Sequence, residues 1–111
     1  RELTFDSAVA REKKNISVLN GTNYSGLASF GTRVIENYGG RVVATGSTAR
    51  TYDKSVIITD DVNSQTTGFL SRVFKIDNIV TKDNAGVYIE NEVDRSDVVV
   101  IFGFDSSDDL Y

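Results

Sequence analysis

The sequence predicts an α+β fold, a two-layer sandwich in the element order βαββαβ. It is expected to have a four-stranded mixed or antiparallel sheet with two helices packed on one face. Three observations lead there. Four short segments rich in β-branched residues end at asparagine, glycine or aspartate, as strands do. Two longer segments between them carry apolar residues at helical spacing rather than in alternation. With 111 residues and 40% apolar content, the chain suits one domain that buries roughly two-thirds of the surface its unfolded form exposes. Amphipathic helices in so small a domain need a sheet to bury against.

Taken in order, residues 1–14 read as a linker or N-terminal tether, with a helical turn near Ser7–Lys13. Ile16-Ser17-Val18-Leu19-Asn20 is the first strand, stopped by Asn20-Gly21. Asn-Gly often closes a hairpin, but the periodicity that follows is helical, so a strand–loop–helix connection is predicted. Leu27, Phe30, Val34, Ile35 and Tyr38 form the apolar stripe of a helix over about residues 24–38. Asn23 or Ser25 is the expected cap, and Gly39-Gly40 the stop. Gly26 and Gly31 weaken such a helix by about 1 kcal/mol each relative to alanine; glycine kept in a helix usually allows close approach to a neighbour.

Residues 41–46 form the second strand and 55–59 the third, joined by a polar connection. They are expected to be antiparallel neighbours. The second helix runs from about Gln65 to Lys75, with Phe69, Leu70, Val73 and Phe74 on its face and Asn63 or Ser64 as cap. Residues 77–95 read either as a small hairpin or as an ordered loop laid against the sheet. The continuous apolar run Val98–Phe102 suits a strand covered on both faces. Its second face therefore calls for a cover: the N-terminal segment, residues 77–95 or a partner. Residues 106–111 are a tail, frayed from about Phe104 onward. With right-handed crossovers, this order gives a ferredoxin-like split βαβ arrangement.

The chemistry is narrowed by what is missing. The chain has no Cys and no His, which excludes disulfides, thiolate metal sites and imidazole bases. No cofactor is expected. A net charge of -4 argues against nucleic acid and against an anionic membrane surface. The sequence begins Arg1-Glu2-Leu3 and contains no Met, so it is read as part of a longer protein, with any membrane contact made by a segment outside this one.

The best candidate site is the loop of Asn20, Gly21, Thr22, Asn23, Ser25 and Gly26. A glycine-containing loop at a helix start offers backbone N–H groups, and its side chains add donors and acceptors. The same residues also make an ordinary turn and helix cap. The loop matches neither a dinucleotide fingerprint nor a phosphate loop. Ser25 does not sit in a nucleophile elbow and lacks a histidine base. Asp60-Asp61, with Asp53 or Asn63, are candidate oxygen ligands for a hard cation, or carboxylates that serve a helix dipole. Asp105, Asp108 and Asp109 read as solvated. Arg41, Arg50 and Lys54 are a candidate basic spot. The tyrosines Tyr24, Tyr38, Tyr52, Tyr88 and Tyr111 matter as a set only where they share a surface.

The strings Val18-Leu19-Asn20-Gly21-Thr22 and Ser25-Gly26-Leu27-Ala28 carry a family likeness. It continues through Tyr38-Gly39-Gly40, Val42-Val43, Gly46, Ser55-Val56-Ile57-Ile58 and the closing run from Asp97 to Asp105. Over about residues 15–105 the chain resembles the C-terminal domain of LytR/CpsA/Psr-type cell-envelope proteins, the LytR_C domain. Thr59-Asp60-Asp61 stands where that family often has a Tyr-Pro-Gly element. The resemblance implies a non-catalytic, extracytoplasmic accessory domain of a bacterial cell-envelope protein. Its implied partners are peptidoglycan or an anionic wall glycopolymer, or a protein. The alternatives are a spacer or homo-oligomerisation module without ligand, a homodimer using an edge strand or an uncovered sheet face, and a histidine-free carboxylate-dependent enzyme.

Overall fold

The computed structural model describes residues 7–88, 90 and 92–106. The elements are α1 (Ser7–Glu12), β1 (Asn15–Asn20), α2 (Leu27–Asn37), β2 (Arg41–Ser47), β3 (Val56–Thr59), α3 (Gln65–Phe74), β4 (Ile79–Thr81), α4 (Glu92–Arg95) and β5 (Val98–Phe102). Single 3-10 turns lie at Lys82–Asn84 and Phe104–Ser106. Asn20-Gly21 does not close a hairpin: the chain passes from β1 through α2 to β2, which lies parallel to β1.

The sheet is mixed, in the order β2-β1-β5-β3-β4. β2, β1 and β5 run parallel, β3 is antiparallel to β5, and β4 is parallel to β3. This corrects the ferredoxin-like expectation twice. There are five strands rather than four, because Ile79–Thr81 adds an edge. The second and third strands are not neighbours, because β1 and β5 lie between them. Residues 48–55 make this crossing at one end of the sheet. Thr48 N–H donates to Asn20 O (3.1 Å), Tyr52 N–H to Gly21 O (2.8 Å), and Phe104 N–H to Tyr52 O (2.9 Å). Three strand spacings are about 14 Å, well within the reach of eight extended residues, about 27 Å. A connection that stays at one end must feed β3 in the opposite direction to β2, which is why β3 is antiparallel.

One face of the sheet carries α1, α2 and α3. Val9, Leu27, Ile35, Tyr38, Phe69, Leu70 and Phe74 close over Ile16, Val18, Ile57, Val98, Val100 and Phe102. Gly31 permits this closeness: a Cβ there would sit 2.6 Å from the Phe102 ring. On the second face, Leu19, Val56, Ile58, Val99 and Ile101 are covered by Tyr52 and Ala85, with Val80, Tyr88 and Val93 packed against them. The cover therefore comes from the irregular stretch after β4 and from the β2–β3 connection. The N-terminal helix lies on the other face. The sheet face that a homodimer was expected to use is occupied by the chain itself.

The ends of the elements show further differences. α2 begins at Leu27, later than expected, and its N-cap is Gly26 with φ 92° and no side-chain cap, so neither Asn23 nor Ser25 fills that role. Ser64 does cap α3, accepting from Thr67 N–H at 3.1 Å. Phe104–Ser106 is a pinned turn and not a frayed end. Asp105 accepts from Ser55 N–H (2.9 Å) and Ser55 Oγ (2.7 Å), while Ser55 Oγ accepts from Gly103 N–H (2.9 Å). Asp108, Asp109 and Tyr111 lie outside the described residues.

Candidate functional site

Asn20 ends β1 and shapes the loop that follows. Its Oδ1 accepts from Thr22 N–H (2.9 Å) and Thr22 Oγ1 (2.6 Å), an Asx turn. Its Nδ2 donates to Tyr24 O at 2.7 Å, and Thr22 Oγ1 accepts from Tyr24 N–H at 3.1 Å. The side chains of Asn20 and Thr22 are thus committed within the loop. Gly21 is committed too: its N–H donates to Phe102 O at 2.8 Å, tying the loop to β5. A Cβ at Gly21 would lie 2.8 Å from both that oxygen and the Tyr52 ring. Asn23 is exposed.

Where the loop enters α2 there is an open cleft of about 260 Å³, lined by Asn20, Ser25, Gly26, Ala28, Ser29, Thr45, Gly46 and Ser47. It sits outside the carboxyl ends of the parallel strands β1 and β2, at the start of the helix that joins them. Ligands of parallel β–α–β units bind in that place. Of the six loop residues singled out from sequence, Asn20, Ser25 and Gly26 line the cleft, whereas Gly21, Thr22 and Asn23 do not. Ser29, Thr45, Gly46 and Ser47 were not anticipated. The usable signal was the small, polar end of the second strand, Thr45-Gly46-Ser47, but it required knowing that this strand lies parallel beside the first.

A family model described as LytR cell envelope-related transcriptional attenuator, LytR_C, matches residues 14–105. The chain belongs to the LytR_C family. No curated protein and no solved structure matches it. LytR_C is a non-catalytic accessory domain of cell-envelope proteins.

Several other polar groups of this LytR_C domain hold the fold together. Asp60 pairs with Lys14 at 2.9 Å, and the hydrogen bond to Asp60 raises the Lys14 pKa against the opposing effect of burial. Asp61 Oδ1 accepts from Asn63 N–H at 2.9 Å. Neither serves as the carboxylate at the start of α3. That one is Glu12 of α1, which accepts from Gln65 N–H (2.6 Å), Thr66 N–H (2.8 Å) and Thr66 Oγ1 (2.6 Å). Burial opposes the charge on Glu12. The bonds from Thr66 and Gln65, with Lys14 nearby, outweigh burial and hold its pKa below the usual range. Among the described residues no group of three or more acidic side chains could hold a metal ion, and no helix is long and apolar enough to cross a membrane.

The basic residues engage different partners. Arg41 donates to Asn15 Oδ1 (3.4 Å), and Arg50 donates to Val87 O (2.8 Å) and lies over the Tyr52 ring. Lys54 lines a separate polar recess with Lys75 and Asp105. The tyrosines also divide. Tyr38 packs edge-to-face on Phe69 in the core, and Tyr52 lies against Tyr88 on the second face. Tyr52 Oη donates to Glu90 at 2.8 Å; burial, reinforced by that carboxylate, raises the phenol's pKa. Tyr24 stands apart, exposed beside Phe104.

Proposed function

We propose that residues 15–105 of this sequence form a LytR_C domain that works outside the cytoplasm as part of a membrane-anchored cell-envelope protein, and that it binds wall polymer in the cleft between β1, β2 and the start of α2. The observation that carries the reading is the cleft itself. Family membership supplies the envelope setting, and the cleft is a recess lined by serine and threonine hydroxyls and by backbone at the end of a parallel β–α–β unit. Such a lining can exchange hydrogen bonds with a hydrated polymer and contains no ionisable side chain to act as acid or base or to activate its hydroxyls.

An amide-resolved NMR titration with soluble peptidoglycan fragments and with a wall-type polyol phosphate tests it. Shifts are expected at Ser25, Gly26, Thr45, Gly46 and Ser47. Gly46→Val is the blocking variant, because a Cβ at Gly46 meets nothing within 4 Å. It should leave the fold intact and remove the shifts. Unmoved amides around the cleft at millimolar concentrations of either polymer would overturn the reading.

A further inference from the structure

Tyr24 is 52% exposed, and among the described residues it is the only aromatic side chain more than half open to solvent. Leaving a large ring in water forgoes the burial that usually accounts for an aromatic residue. This ring also sits on an anchored support. The Tyr24 carbonyl is held by Asn20 Nδ2 and its N–H by Thr22 Oγ1. The ring stands edge-to-face with Phe104, centroids 6.1 Å apart and planes at 81°. Phe104 is in turn fixed by its N–H donating to Tyr52 O. The next residue, Ser25, lines the cleft. The loop's internal bonds fix the Tyr24 backbone one residue from the cleft's lining, and the Phe104 contact supports the ring, which lowers the entropy cost of using it in binding.

We propose that Tyr24 is a stacking face for a sugar ring, and that the cleft beside it takes the polar substituents of a pyranose-containing glycan. This rests on the reading of the cleft as a wall-polymer site and narrows it to one chemistry. The face of an aromatic ring is electron-rich, and the C–H face of a pyranose presents the complementary partial positive charge. The cleft's lining has no charged side chain. A polyanion would call for lysine or arginine at the contact, whereas hydroxyls and acetamido groups need only donors and acceptors. A polyol phosphate without rings offers Tyr24 nothing to stack on.

The test is calorimetry and NMR titration of the whole chain with the β-1,4-linked tetramer of N-acetylglucosamine and, separately, poly(glycerol phosphate). Tyr24→Phe keeps the ring and should bind the tetramer within about twofold of the parent. Tyr24→Ala should bind it about tenfold more weakly. The ring is exposed, so a preserved amide spectrum will show that both variants fold. Gly46→Val should lose the tetramer as well. If Tyr24→Ala binds like the parent while Gly46→Val does not, the stacking role falls and the cleft stands. Poly(glycerol phosphate) binding that ignores Tyr24 would overturn the choice of glycan. Failure of both probes to bind at millimolar concentration would overturn the cleft reading together with this one.

Discussion

Asn20 shows how much one side chain can organise. It is nearly buried, and it holds the loop through both ends of its amide. Asn20→Ala leaves Thr22 N–H and the Tyr24 carbonyl to find new partners. We expect a loss of about 1–3 kcal/mol, read from urea unfolding, with the largest amide shifts at Thr22 and Tyr24. Gly21→Ala acts through space, since its Cβ would meet the Phe102 carbonyl and the Tyr52 ring at 2.8 Å. It should cost a similar 1–3 kcal/mol, roughly, by overpacking. The identities of these loop residues were open to reading from sequence, but not the direction of their bonds. The donors and acceptors of the string Asn20-Gly21-Thr22-Asn23 can pair in several ways, and only the placement of β5 decides that Gly21 N–H goes to Phe102 O.

At the scale of elements, α1 is held to the domain by a carboxylate at another helix's start. Glu12 is at the end of α1, and its partners Gln65 and Thr66 open α3. Because its folded pKa is depressed, its contribution is full above the ordinary glutamate value of about 4.3 and is lost as pH falls through that value toward the lower folded one. The urea midpoint of the parent should therefore exceed that of Glu12→Gln near neutrality, and the two should converge as pH drops below about 4. Midpoints that differ by the same amount at all pH values would show that the charge is not what docks α1. The edge strand β2 is a second case. Its register against β1 shifts between Ile16 and Ser17, leaving Val43 as an extra, half-exposed residue. Such a bulge blunts an edge against pairing with another chain. The domain is expected to sediment as a monomer, and a mass that rises with concentration would favour the oligomerisation alternative.

For the whole molecule, stability is divided between two unequal layers. The helical face is closed by regular elements, while the other is closed by irregular chain held at Tyr52. That residue belongs to the same apolar cluster as Leu19, Val56 and Ile101, donates to Glu90, and passes its backbone between Gly21 and Phe104. Tyr52→Ala should cost about 3–5 kcal/mol. Hydrogen exchange should rise together at residues 48–55 and around Tyr88, because one ring holds both. Exchange that rises only beside Tyr52 would show that the two segments are independent.

The sequence by itself determined the local pieces. Helical spacing in Leu27, Val34, Ile35 and Tyr38, the β-branched runs, the Ser64 cap and the Gly39-Gly40 stop all express interactions within a few residues, so they can be read from neighbours in the chain. The polar loop after the first strand was visible for the same reason. Tertiary structure alone decided the strand order, the fifth strand and the far wall of the cleft. A polar connection between two strands reads the same whether it turns back or crosses two intervening strands. The choice depends on where Val98–Phe102 is buried, and that strand lies some fifty residues further along the chain. The three β-branched residues Ile79–Thr81 become a strand only because β3 offers them an edge. Burial of the central strands is a property of the assembled sheet, and no window along the chain contains it.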